Sequence, residues 1–102
     1  MFWALWDVKL MAMVRAGIYF IGTVQGVGFR YTALSFARQL SLTGWVKNLP
    51  NGSVQAVVEG PRGKIEELIS RLKGQFGSFI RETQVEWLED GVKKEYDEFT
   101  II

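Results

Sequence analysis

Apolar and polar positions alternate from Arg15 to Gly22 around Ile18 and Phe20, with Tyr19 and Ile21 beside them and Gly22 closing the run. A period of two in β-branched and aromatic residues predicts a strand, one in the interior of a sheet. From Phe29 to about Leu42 the period changes: Ala33, Phe36, Ala37 and Leu40 recur three and four residues apart, with Arg38 and Gln39 outside the stripe. That spacing predicts a helix with one buried face. Gly44 to Asn48 and Ser53 to Glu59 are short strand-like runs on either side of Leu49-Pro50-Asn51-Gly52. Pro at the second turn position and Gly at the fourth suit a type I turn, so the two runs form a hairpin. Pro61 opens a second helix without losing a needed N–H, and Ile65, Leu68, Ile69 and Leu72 give its stripe, ending at Gly74. Gly74 to Ser78 is expected to be a loop. Thr83 to Glu89 alternates again, with Val85 and Trp87 on one face, and Glu98 to Ile102 offers a short fifth, closing strand.

The order is β-α-β-β-α-β. A hairpin between some strands and helices after others imply a mostly antiparallel sheet with both helices on one face, an α+β, ferredoxin-like sandwich. At 102 residues and 48% apolar composition the chain supports one core. The domain is expected over 14–102, with 1–13 as an N-terminal extension of unassigned role. Phe2, Trp3, Leu5 and Trp6 make that extension apolar, but Asp7 and Lys9 interrupt it and no basic leader precedes it, so it reads poorly as a signal peptide. No run approaches the roughly 20 apolar residues of a membrane span. A cytoplasmic monomer that engages no membrane is expected.

Charge and composition narrow the chemistry. Twelve Lys and Arg against eleven Asp and Glu leave a net charge of +1, which lacks the basic field of a nucleic-acid binder. With no Cys and no His, thiolate nucleophiles, imidazole bases, disulfides and the usual zinc ligands are all excluded. No cofactor and no metal are expected, and any anion site must be built locally.

Such a site is predicted between the first strand and the first helix. Gly22-Thr23-Val24-Gln25-Gly26-Val27-Gly28-Phe29-Arg30 has three glycines in its first seven positions. From Gln25 to Arg30 there is no Ser, Thr, Asp or Asn to cap the helix that follows, so its first N–H groups stay available. Amides converging at the positive end of a helix are suited to phosphate. Arg30 is a cation at the unfavourable end of the helix dipole, a position that a bound anion would make favourable. Taken separately, a glycine-rich connection is more often only a tight turn, and a surface Arg is usually solvated. The loop lacks the Gly-Lys-Ser or Gly-Lys-Thr ending of a nucleotide-binding P-loop.

Together with Gly44-Trp45-Val46-Lys47-Asn48 and Gly52-Ser53-Val54, this loop resembles the acylphosphatase family, over a stretch from about Val14 to Glu89 that includes the Glu59-Gly60 junction. The resemblance implies hydrolysis of a small-molecule acyl phosphate to carboxylate and inorganic phosphate. It implies that the amides of Gln25, Gly26, Val27, Gly28, Phe29 and Arg30 cradle the phosphate, that the Arg30 side chain clamps it, and that Asn48 orients the attacking water. Two departures stand out: Thr23 where the family often has Arg, and Gly77-Ser78-Phe79-Ile80 in place of a Gly-Pro segment. Read without the resemblance, Asn48 is a residue that satisfies backbone groups at the turn.

The other clusters read as structural. Glu66-Glu67, Glu89-Asp90 and Lys93-Lys94-Glu95 are solvated faces, and Trp45 and Trp87 pack on the sheet. A non-enzymatic alternative on the same fold is an RNA-binding or regulatory module. Gly26-Val27-Gly28-Phe29 has a likeness to an RNA-binding strand, but it lies in a loop and the rest of the aromatic motif is missing.

Overall fold

The alternation around Ile18 becomes β1, Met13–Gly22, in which Val14, Ala16, Ile18 and Phe20 are buried. The computed structural model describes residues 13–88 and 93–102; of the expected 1–13 extension only Met13 is described, as the first residue of β1, and the Glu89-Asp90 pair lies outside the described residues. Helix α1 spans Phe29–Gln39 and β2 spans Thr43–Asn48. After the turn come β3, Val54–Pro61, and α2, Arg62–Phe76. A single 3-10 turn over Gly77–Phe79 leads to β4, Ile80–Trp87, and β5 is Phe99–Ile101.

The five strands lie in the order β4-β1-β3-β2-β5. β1 pairs antiparallel with β3 and β4, β2 pairs antiparallel with β3, and β5 pairs parallel with β2. Each helix therefore links two parallel strands that have one antiparallel strand between them, and this is the ferredoxin-like arrangement. The register puts Phe20, Val54 and Asn48 in one row across β1, β3 and β2. Directly paired residues share a face, so Asn48 projects to the side on which Phe20 and Val54 are buried.

That face holds the core. Phe29, Ala33, Ala37 and Leu40 come down on it from the first helical segment, and Ile65, Leu68, Ile69, Leu72 and Phe76 from α2. Phe29 stands between Phe20 and Phe76, with ring centroids 4.9 and 4.7 Å away. The same packing corrects two sequence expectations. The second helix does not stop at Gly74 but runs to Phe76, because burying the Phe76 ring outweighs the roughly 1 kcal/mol that a helical glycine costs. The fourth strand begins at Ile80 rather than Thr83; Arg81 and Glu82 are both exposed on the sheet edge, so no alternation marks its start. No helix among the described residues is long and apolar enough to cross a membrane.

The uncovered face carries a feature that the charge pattern did not announce. Glu59 is fully buried. Its carboxylate accepts hydrogen bonds from Arg15 Nη2 at 2.7 Å and Nε at 3.0 Å, from Thr43 Oγ1 at 3.0 Å, and from the amides of Glu95 at 2.9 Å and Tyr96 at 3.0 Å. Arg15 also donates to Lys93 O, and Trp45 Nε1 donates to the Tyr96 hydroxyl at 3.2 Å. The segment that leads into β5 is thus fastened across the sheet by one carboxylate, although its side chains at Lys93, Lys94 and Glu95 are solvated as expected.

Burial alone would push the Glu59 carboxyl up, but the hydrogen bonds from Arg15, from the two amides and from Thr43 outweigh it and hold it below its ordinary value of 4.5. The ionised group therefore contributes stability that is present above the ordinary carboxylate range and is lost as pH falls through the lowered folded value. Glu59→Gln should lose about 2 to 3 kcal/mol at neutral pH, since it leaves Arg15 facing a neutral amide. Denaturant unfolding of both proteins at pH 7 and at pH 3 checks this. The gap should narrow in acid, and a gap independent of pH would mean that the charge of Glu59 is not what fastens the segment.

Candidate active site

After Gly22 the chain leaves the sheet, with Thr23 N donating to Phe79 O at 2.9 Å, and then forms a turn from Gln25 to Gly28. Gly26 and Gly28 both have φ +80°, in the left-handed region that side chains disfavour. This lets the backbone curl so that α1 begins directly on Phe29, with Gly28 as N-cap and no side-chain hydrogen bond capping it. The Thr32 amide finds the Gly28 carbonyl at 3.1 Å. Among the described residues no acceptor meets the amides from Gln25 to Arg30. These donors cluster at a helix N-terminus whose first turn contains no acidic residue, so the local field is positive.

A cavity of about 220 Å³ opens beside the loop, lined by Gln25, Gly26, Gly28, Phe29, Arg30 and, from the end of β2, Asn48. Val27 is not part of that lining; its side chain packs against the core instead. Arg30 is the one charged residue in the lining, and among the described residues it takes part in no ion pair. No group of three or more His, Cys, Asp and Glu that could hold a metal ion occurs among the described residues.

Asn48 reaches the cavity because it ends β2 on the helix-covered face. Its Oδ1 is buried and has no hydrogen-bond partner among the described residues. An orphaned buried acceptor is costly unless water or a ligand meets it. The reading of Asn48 as a residue that satisfies the turn finds no support: the turn is closed by Gly52 N to Leu49 O at 3.1 Å, Leu49 N to Ser53 O at 2.9 Å and Ser53 N to Asn51 Oδ1 at 3.0 Å.

Sequence reasoning missed two features. Tyr31 also lines the cavity while 71% exposed, and nothing in the helical stripe distinguishes it from an ordinary surface residue. The sequence points to the backbone amide of Gln25, yet its side chain leaves the loop and donates to Leu49 O at 2.8 Å and Ser53 O at 2.9 Å. Contacts across 24 and 28 residues leave no trace in local periodicity.

Comparison with known proteins gives a consistent result. A sequence model of a family described as acylphosphatase matches residues 16–101. An acylphosphatase of Moorella thermoacetica is 45% identical over 80 residues, covering 78% of this chain and 86% of that protein. An acylphosphatase of Trichormus variabilis is 53% identical over 57 residues, 56% of each chain, so the match spans little more than half of that relative's length. Among solved structures, the crystal structure of an acylphosphatase from Bacillus subtilis superposes with a TM-score of 0.79 at 30% identity, covering 87% of this chain and 98% of that one.

Proposed function

Because this chain belongs to the acylphosphatase family, we propose that it hydrolyses acyl phosphates to a carboxylate and inorganic phosphate, with the activity housed in residues 14–102. The observation that carries the reading is one cavity lined by a loop with unpartnered amides, by a single guanidinium and by Asn48, whose carbonyl oxygen is buried and meets no partner among the described residues. The first set of groups matches a phosphate, and the second matches a water molecule beside it.

The proposed reaction needs no acid or base from the protein. The amides of Gln25 to Arg30 and the forked Arg30 guanidinium hold the phosphoryl oxygens and stabilise the charge that builds on them. Asn48 Oδ1 accepts a hydrogen bond from the attacking water, which directs a lone pair of its oxygen at phosphorus. The new P–O bond forms as the bond to the acyl oxygen breaks. The acyl group departs as a carboxylate, stable enough to leave unprotonated, and the water's proton passes to a phosphate oxygen. Asn is too weak a base to take that proton, and no phosphoenzyme is formed. The proposal is for a metal-independent monomer in the cytoplasm that uses no cofactor and engages neither nucleic acid nor membrane.

The test is release of inorganic phosphate from acetyl phosphate, measured above its spontaneous hydrolysis, with an aryl phosphomonoester as control and a chelator present. Turnover of the acyl phosphate alone, unchanged by chelation, is expected. Failure to hydrolyse either compound would remove the enzyme reading, and loss of activity on chelation would remove the metal-independent mechanism.

A further inference from the structure

The two halves of the cavity come from segments far apart in the chain, and one side chain joins them. Gln25 Nε2 carries two hydrogens and donates both, to Leu49 O at 2.8 Å and to Ser53 O at 2.9 Å. These two carbonyls bracket the turn between β2 and β3, and each already accepts a turn amide: Leu49 O from Gly52 N, Ser53 O from Leu49 N. Among the described residues these are the only hydrogen bonds between the phosphate-loop candidate and the turn. Leu49 directly follows Asn48, whose own Oδ1 is held by nothing among the described residues.

We infer that the Gln25 side chain is a positioning residue that sets the distance and angle between the bound phosphoryl group and the water on Asn48, acting through the Leu49 backbone. The inference rests on the acyl-phosphate reading above. Its basis is geometric: attack on phosphorus requires the water oxygen about 3 to 3.5 Å away and in line, and a 1 Å misplacement costs on the order of 100-fold in rate. The loop amides fix the phosphorus and β2 fixes Asn48, but a loop and a strand end drift independently unless something ties them. The Gln25 amide is that tie. Removing it leaves both carbonyls with the turn amides they already accept, so the protein loses alignment without acquiring a buried orphan.

Gln25→Met tests this, because it keeps the length and the backbone amide while deleting both donors. Turnover number should fall about 10- to 100-fold, while the inhibition constant for inorganic phosphate changes less than about threefold, since the anion-binding amides and Arg30 are untouched. Gln25→Asn keeps the donors but is one methylene too short to reach, and it should show the same split; it carries the test if the Met variant does not fold. Turnover within threefold of wild type in a folded variant overturns the inference, as does a parallel loss of turnover and phosphate affinity, which would mean that Gln25 only builds the loop. A wild-type protein inactive on acyl phosphates would instead remove the underlying functional reading.

Discussion

Arg30→Ala is expected to lose roughly 1,000-fold in kcat/KM for an acyl phosphate and to weaken competitive inhibition by phosphate in step. The guanidinium is the one charge in the cavity lining, and it meets the phosphoryl group before, during and after the transfer, so binding and turnover both suffer. The folded protein itself should not suffer. Arg30 takes part in no ion pair among the described residues, and it sits on a helix turn without an acidic neighbour. Deleting a cation at the positive end of the dipole relieves about 0.3 to 1 kcal/mol of unfavourable interaction. In the absence of phosphate the variant should therefore melt at or slightly above the wild-type temperature. Added phosphate reverses the order: at 100 times its dissociation constant a ligand raises folded-state stability by about 2.7 kcal/mol, and only the wild type gains most of that. Melting curves against phosphate at constant ionic strength read both effects in one experiment. Equal rises in the two proteins would take Arg30 out of the site. Arg30→Lys keeps a point charge but loses the two-pronged grip, and should fall between them.

The order of elements was legible in the chain because each element announces itself locally. The period of two around Ile18, the stripe from Ala33 to Leu40 and the Pro50–Gly52 turn each depend on neighbours within a few residues. The absence of a cap before Phe29 was equally local, and it carried the candidate anion loop. Features that depend on distant partners were not legible. Gly74 looked like a helix end because the pull of the Phe29 ring on Phe76 is invisible from residues 62–74 alone. Glu59 looked like part of a strand end, since Arg15 and the amides of Glu95 and Tyr96 that dress its carboxylate lie 44, 36 and 37 residues away. The parallel pairing of β5 with β2 links residues more than fifty positions apart. Asn48 lies between these cases. Its placement follows from register: a shift of one residue in the hairpin would turn it to the uncovered face, and the turn at Leu49–Gly52 that sets the register was readable. Its meaning came from the resemblance, because a lone Asn before a turn has an ordinary structural reading as well.

Asn48→Ala separates those two readings. A residue that served the turn would cost stability when truncated, whereas one that serves water would cost rate. The turn's hydrogen bonds run through Leu49, Gly52, Asn51 and Ser53, with Gln25 added from the loop, and Asn48 Oδ1 bonds to none of them. The Ala variant should then unfold within about 1 kcal/mol of wild type, the difference being the contacts of the lost amide. Phosphate inhibition should stay close to wild type, because the loop amides and Arg30 remain in place. The turnover number alone should collapse, by roughly 100- to 1,000-fold, since the phosphoryl group is still bound and polarised but the water opposite it has lost its acceptor and with it its direction. This pattern is the converse of the Arg30→Ala result, where binding and rate fall together. It also differs from Gln25→Met, whose loss should be smaller because the water keeps its acceptor at a less favourable angle. A folded Asn48→Ala protein with near-normal turnover would return Asn48 to a structural role and leave the water to be oriented by the substrate phosphate itself.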